Sequence, residues 1–153
     1  MTIDRTDRKI LKTLLQDGRI SNLDLAERIG LSPTPCARRV KRLEDEGYID
    51  RYTVALDKSR LGLTLTAIIS ISMDRHTPDR FENFEKAVAG MPEVVECNLV
   101  TGQTADYLLK ALLPDMAHYE AFLLGKLTKI DGVTGVQSSF ILREVLKSHS
   151  MPI

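Results

Sequence analysis

The hydrophobic pattern of residues 64–142 constrains the fold of this chain more than any other feature of its sequence. Four segments alternate apolar and polar residues, as strands with one buried face do, and two segments repeat apolar residues at helical spacing. In chain order these segments are 65–73, 81–91, 95–99, 107–113, 116–127 and 136–142. The order βαββαβ predicts an α+β protein with a ferredoxin-like domain in this part of the chain.

One face of the predicted sheet has no helix to cover it. An antiparallel sheet of this kind carries its helices on one face, so the other face is either solvated or covered by a partner. Ile68, Leu108 and Leu112 place apolar side chains on that second face. The pattern therefore predicts that this half of the chain is an oligomerisation surface.

Three short helical patterns precede the first of these strands. They span residues 4–16, 21–29 and 32–46, which begin at the capping residues Asp4, Ser21 and Ser32. Gly30 is suited to end the second helix, and Pro33 fits the first position of the third. A short helix, a turn that contains glycine and a further helix form the layout of a helix-turn-helix, here of the winged-helix type.

The third of these helices has a buried face and a basic face. With about 100° of rotation per residue, Cys36, Val40 and Leu43 share one side, whereas Arg38 and Arg42 lie on the other. Between Pro33 and Leu43 there are four cations and no acid. A basic helix alone is more often a solvated surface than a nucleic-acid interface. The glycine turn and the paired short helices shift the interpretation toward duplex DNA.

In a helix-turn-helix the second helix of the motif enters the major groove, where its first residues reach base edges. Arginines then pair with phosphate or guanine. The candidate DNA-contacting residues are Ser21, Asn22, Ser32, Thr34, Pro35, Arg38, Arg39, Lys41 and Arg42.

The net charge changes sign along the chain. Residues 1–60 hold 13 Lys and Arg against 10 Asp and Glu, whereas residues 61–153 hold 8 against 11. Two modules with different partners are expected, the first with an anionic one. We predict a DNA-binding domain at 3–64, whose helix-turn-helix motif spans about 22–41, and a second domain at 65–153. Within the first, the β-branched and aromatic residues of 48–56 predict a strand that serves as a wing or hinge.

Several classes of protein find no support in the sequence. No apolar run approaches the roughly 20 residues of a membrane span, and the first residues lack the apolar core of a secretory signal. His76, His118 and His149 have no metal-ligand spacing, and no phosphate loop or nucleophile elbow occurs. Cys36 and Cys97 form no disulfide framework, so we expect both to be reduced and buried. We therefore expect a cytoplasmic protein with no catalytic residue, metal ion or cofactor.

Several longer motifs occur in a characteristic order. They are residues 17–22 (DGRISN), 30–36 (GLSPTPC), 39–44 (RVKRLE) and 106–110 (DYLLK). With these motifs the chain resembles the Lrp/AsnC family of bacterial and archaeal transcription regulators over essentially its whole length. The resemblance implies a sequence-specific DNA-binding regulator that forms homodimers through its second domain. It also implies DNA wrapping and the assembly of dimers into octamers.

The resemblance further implies an amino-acid effector bound between dimers, near the loop that joins the second and third strands. Loop N–H groups beside Gly102 would receive its carboxylate, and Asp106 would pair with its ammonium. Three residues separate Gly102 from Asp106, where the family generally has two. The implied effector-site residues are Thr101, Gly102, Gln103, Thr104, Asp106 and Tyr107, with Gln137 and Ser139 across the interface.

The sequence leaves two alternatives open, one for the loop near Asp106 and one for the function of the second domain. A plain hairpin capped by Asp106 would account for the loop without any ligand. A DNA-independent amino-acid sensor that regulates a partner enzyme would account for the second domain, although the basic helix argues against it.

Overall fold

The computed structural model describes residues 2–102, 105–146 and 151–153. The chain divides into two compact units, Met1–Ala55 with Leu146–Ile153, and Leu56–Val145. The division falls before residue 64, where the sequence predicts the domain boundary, and that boundary stays a prediction. Within the three described ranges, no helix is long and apolar enough to cross a membrane.

The three predicted helices of the first unit are present, and each follows its predicted capping residue. They are α1 (Arg5–Gln16), α2 (Asn22–Ile29) and α3 (Pro33–Asp45). The N–H of Asp7 donates to Asp4 Oδ1 (2.8 Å) and the N–H of Asp4 donates to Asp7 Oδ2 (3.0 Å), so the two acids form a capping box. Gly30 ends α2 in the left-handed conformation (φ 76°), which a residue without Cβ adopts readily.

These helices enclose a small hydrophobic core. Its fully buried members are Ile10, Leu25, Ala26, Cys36 and Leu43. Val40 packs against them, so the predicted inner face of α3 is confirmed. Because Cys36 and Leu43 are each 0% exposed, α3 cannot roll about its axis without opening this core.

The strand predicted at 48–56 is absent from the structure. Ile49 packs against the core of the first unit, but Tyr52, Val54 and Leu56 are 53%, 71% and 64% exposed. Alternation alone does not make a strand, because the backbone groups need a neighbouring strand to bond to. Among the described residues, none of the strands pairs with this segment.

The second unit contains the predicted βαββαβ order. Its elements are β1 (Leu65–Met73), α4 (Pro78–Ala89), β2 (Val94–Leu99), β3 (Tyr107–Leu113), α5 (Met116–Gly125) and β4 (Val133–Phe140). The strands form one antiparallel sheet in the order β2-β3-β1-β4. This is the ferredoxin-like arrangement, and the prediction is confirmed.

The inner face of the sheet and the two helices share one core. On β1, Ala67, Ile69 and Ile71 are 0% exposed, while the intervening residues point to the other face. In register across the sheet, Ile69 lies opposite Leu109 of β3. The helices contribute Phe84, Val88, Tyr119 and Phe122 to the same core. Period-2 alternation along β1 therefore sets which residues meet α4 and α5.

Two expectations for the second unit are corrected: the burial of Cys97 and the extension of the last strand to residue 142. Cys97 is exposed, because β2 is an edge strand and the helices do not cover its outer half. Leu142 is 99% exposed, because β4 ends at Phe140. Leu127 is buried as predicted, although α5 ends at Gly125 and Leu127 begins a separate 3₁₀ turn.

The second face of the sheet is open. Ile68 lies opposite both Lys110 and Ser139, and Ser70 lies opposite both Leu108 and Gln137. Leu108 is 38% exposed, and both Gln137 and Ser139 are exposed. We call this surface, built on Ile68, Ser70 and Leu108, the open face. It mixes apolar and polar side chains, as the sequence pattern indicates.

Candidate functional site

The N-terminal turns of α3 form an exposed polar surface. Ser32, Thr34, Pro35 and Arg38 are all exposed. Arg38 makes no hydrogen bond or ion pair with any other described residue, so its guanidinium is available to a ligand. Lys41 is also exposed, and its Nζ lies 3.2 Å from Asp45 Oδ1 in a surface pair of the kind that contributes little.

The first turn of α2 supports this surface. Ser21 accepts the N–H of Asp24 (3.1 Å) and thereby caps α2. Asn22 Nδ2 donates to the carbonyl oxygen of Pro33 (2.9 Å), which links the start of α2 to the start of α3. Both residues are exposed, so a structural role in the turn does not remove them from the candidate DNA surface.

Arg39 and Arg42 are placed differently from their neighbours. Arg39 Nη1 donates to Asp7 Oδ1 (2.8 Å) and to Asp4 Oδ2 (2.7 Å). Arg42 Nη2 donates to Asp7 Oδ2 (2.6 Å). The prediction that Arg42 points outward with Arg38 is therefore corrected: its backbone lies on that side, but its long side chain bends back to α1.

This ion cluster centres on an acid that is almost fully buried. The Asp7 side chain is 1% exposed, whereas those of Arg39 and Arg42 are 30% and 39% exposed. The hydrogen bond from the Asp7 backbone, followed by that from Arg39, lowers the pKa of Asp4 to about 2. Hydrogen bonds to Asp4 and Asp7 raise the pKa of Arg39. Asp4 and Arg39 are therefore both charged at neutral pH.

Asp7 is not among the site residues that the sequence predicts. A signal for its burial was present, because Asp7 lies three residues before Ile10 and so shares the buried side of α1. Its partners could not be read from spacing, since they are 32 and 35 residues away.

In the second unit, Asp106 ties its loop to the end of β1. Its Oδ2 accepts the N–H of Met73 (2.7 Å), and its Oδ1 lies 2.7 Å from Nε2 of His76. Its backbone N–H donates to the carbonyl oxygen of Ile71 (2.8 Å). Both carboxylate oxygens thus already have a partner within the chain, and the side chain is 20% exposed. Sequence reasoning missed His76, because a histidine between a strand and a helix carries no pairing signal.

The structure separates the remaining effector candidates. The Tyr107 side chain is a core residue rather than a loop residue: it is 1% exposed, packs 4.4 Å from Phe84 between ring centroids, and donates its hydroxyl to Glu85 (2.7 Å). Burial, followed by that hydrogen bond, raises the pKa of Tyr107. The Tyr107 side chain thus belongs to the core, and its assignment to the effector site stays a prediction.

Other candidates stay available for a ligand. Thr101 and Gly102 are exposed, whereas Gln103 and Thr104 lie outside the described residues. Gln137 and Ser139 occupy the open face on β4, and β1 separates that strand from β3 within one chain. In the part of the chain that the structure describes, no group of His, Cys, Asp and Glu is arranged to hold a metal ion.

Comparison with known proteins agrees with this two-part design. Residues 66–151 match the Lrp/AsnC ligand binding domain, and residues 3–50 match a winged helix-turn-helix DNA-binding domain. The chain is 44% identical to the leucine-responsive regulatory protein of Escherichia coli K12 over 151 residues, which cover 99% of this chain and 92% of that protein. It is 43% identical to the Bkd operon transcriptional regulator of Pseudomonas aeruginosa over 151 residues, 99% and 98% of the two chains.

A solved structure is equally similar. The crystal structure of a transcriptional regulator from Neisseria meningitidis in complex with L-Met has a TM-score of 0.94 and 43% identity, and the match covers 99% of this chain and 97% of that one. The chain belongs to the Lrp/AsnC family and is a transcriptional regulator with a helix-turn-helix DNA-binding domain and a ligand-binding domain.

Proposed function

We propose that this protein is a cytoplasmic, non-enzymatic regulator that reads duplex DNA through α3 and responds to an amino acid bound by its second unit. One observation supports the DNA-binding part above all others. Arg38 is exposed and unpaired among the described residues, on a helix whose opposite face is locked into the core by Cys36 and Leu43. A free guanidinium on a rigid helix is what base recognition in the major groove requires.

The residues of α3 divide into two roles. Thr34, Pro35 and Arg38, near the N-terminus, are positioned to reach base edges, and Arg38 can bond bidentately to guanine. Lys41 carries a point charge one turn later and suits a phosphate. Ser32, with Ser21 and Asn22 at the start of α2, can add polar contacts to the backbone of the duplex.

Replacing Arg38 and Lys41 separately should distinguish these roles. Arg38→Ala should cost about 1–3 kcal/mol on the operator and relax specificity at one base pair. Lys41→Ala should weaken binding to all sequences alike and reduce the salt slope by about one unit. Fluorescence anisotropy on a selected operator and on random duplex, at several salt concentrations, measures both effects.

Lys86→Ala is a matched control, because Lys86 is an exposed lysine on α4 that pairs with Glu82 on the same helix. It should bind DNA as the wild type does. Equal loss on operator and random DNA for Arg38→Ala would make Arg38 a phosphate contact. If the wild type binds no duplex at physiological salt, the DNA-independent sensor becomes the better function.

We further propose that the effector is an amino acid whose ammonium binds Asp106. Oδ2 of Asp106 is held by the backbone of Met73, so Oδ1 is the atom that can be exchanged. His76, whose side chain is 69% exposed, occupies that position and can swing into solvent. Backbone N–H groups near Gly102 can receive the carboxylate. The solved relative from Neisseria meningitidis is a complex with L-Met, which makes L-Met the first compound to test.

Two substitutions test this exchange. Asp106→Asn keeps an acceptor for the Met73 N–H but removes the charge, so it should weaken amino-acid binding roughly ten- to hundredfold, since a hydrogen bond to a charged group contributes about 1.5–3 kcal/mol. His76→Ala removes only the internal competitor, so it should bind at least as tightly as the wild type. Isothermal titration calorimetry with L-Met and L-Leu provides the affinities.

Equal affinities for the wild type and Asp106→Asn would show that Asp106 caps the hairpin and does not touch the ligand. A loss in His76→Ala as large as that in Asp106→Asn would instead make His76 a ligand contact.

We also propose that the chain forms homodimers, and octamers of them, through the second unit. The open face supports this, because Ile68 of β1 and Leu108 of β3 lie diagonally across from each other on this face, and Leu108 is 38% exposed. Gln137 and Ser139 would then face the effector loop of another copy.

A charge placed in the open face should break this assembly. Leu108→Asp should shift the protein to smaller species in sedimentation velocity, because a carboxylate would be desolvated at the interface. Leu23→Asp, at an exposed leucine of α2, is the control and should sediment as the wild type. A wild type that sediments only as a monomer at micromolar concentration would contradict the proposal.

A further inference from the structure

Two of the four cations on α3 are paired with the acids at the start of α1. Arg39 and Arg42 both donate to Asp7, and Arg39 also donates to Asp4, at distances of 2.6–2.8 Å. Arg38 and Lys41 have no such partner on α1. The charge that α3 can offer to a duplex is therefore about half of what its sequence carries.

The pairing is not explained by stability alone. Arg42 Nε is buried and has no hydrogen-bond partner among the described residues, which is an unfavourable arrangement for a donor. Ion pairs to a buried carboxylate frequently contribute little net stability, because desolvation of the charges offsets their attraction. A pair of apolar residues could fill the same space between α1 and α3 without this cost.

The released arginines would lie beside the DNA-reading surface. Arg42 is four residues after Arg38, so the two side chains start from the same stripe of α3, and Arg39 is the next residue along. The side chains of Arg39 and Arg42 are 30% and 39% exposed, and a rotamer change would turn them outward. Among the described residues, the carboxylates of Asp7 and Asp4 are the groups that bond to these guanidiniums.

We infer that Asp7 is a specificity-determining and positioning residue, which withholds Arg39 and Arg42 from phosphate and so keeps sequence-independent binding to DNA weak. This inference rests on the proposed reading of DNA by α3. Non-specific affinity grows with the number of phosphates that cations neutralise, whereas specificity is the ratio of operator to non-specific affinity. Keeping Arg39 and Arg42 away from phosphate lowers the non-specific affinity. Arg38 stays free to bind the operator, so the ratio rises.

If Asp7 withholds the two arginines, its replacement should raise the affinity for random duplex, whereas a purely structural role for Asp7 predicts a lower affinity. In full-length Asp7→Asn, Arg42 loses its charged partner and Arg39 keeps only Asp4. The salt slope on random duplex should therefore become steeper by about one to two units. Affinity for random duplex should rise about tenfold near 0.1 M salt, and the ratio of operator to random affinity should fall. A substitution that merely loosened α3 would lower both affinities and would not steepen the slope.

Two further variants separate released arginines from a general change in charge. Glu27→Gln removes one exposed acid from α2 that has no partner among the described residues, and it should leave the slope unchanged. Asp7→Asn combined with Arg39→Gln and Arg42→Gln should return the slope to the wild-type value. A slope in Asp7→Asn that equals or falls below the wild type would overturn the inference. A wild type that binds no duplex would instead overturn the proposed function.

Asp7→Asn can fail to fold, which circular dichroism would show, and a measurement on the wild type then decides. Phenylglyoxal modification, followed by mass spectrometry, should proceed quickly at Arg38 and slowly at Arg39 and Arg42 in the free protein. Random duplex DNA should protect Arg38 and leave the other two unchanged. Rapid modification of Arg39 and Arg42, or their protection by DNA, would contradict the inference.

Discussion

A buried carboxylate links α1 to two arginines of the DNA-reading helix α3. Asp7 accepts hydrogen bonds from the backbone of Asp4 and from the guanidiniums of Arg39 and Arg42, at 2.6–3.0 Å, while its own side chain is 1% exposed. The hydrophobic core of the unit fixes α3 through Cys36 and Leu43, and the ion cluster links the same helix to the start of α1. Because hydrogen bonds are directional, the cluster orients the side chains of Arg39 and Arg42 as well as attracting them. The same contacts that orient α3 also decide which of its cations remain free.

The second unit uses an acid in a related way. Asp106 joins the loop before β3 to the last residue of β1 through the Met73 N–H and to the following segment through His76. One carboxylate oxygen therefore bonds to the backbone of β1, and the other pairs with the exposed side chain of His76, which can move away. Because Oδ2 keeps its bond to Met73, Oδ1 can exchange His76 for a bound cation without unfolding of the loop. A ligand there can alter DNA binding only if it favours one arrangement of the units or subunits over another.

Local signals in the sequence predicted most of the fold. Capping residues such as Ser21 and Ser32 act within one turn, and alternation along β1 acts on the strand that contains it, so both can be read without knowing the rest of the chain. Long-range geometry could not be read in this way. The partner of Arg42 is 35 residues away, and His76 meets Asp106 only because β1 and β3 are neighbours. Cys97 alternates like a core residue, yet its strand lies at the edge of the sheet. Residues 48–56 have strand composition but no strand to pair with among the described residues.

The idea that an amino acid and DNA act on one conformational equilibrium is tested most directly by a linkage measurement on the wild-type protein. The affinity for operator DNA is measured with and without saturating L-Met or L-Leu, and the affinity for the amino acid is measured with and without operator. Coupling free energies are reciprocal, so the two ratios must be equal, and regulatory couplings typically give factors of about 5–150. We expect the two affinity ratios to be equal to each other and different from one. Tight amino-acid binding together with superimposable DNA-binding curves would contradict it.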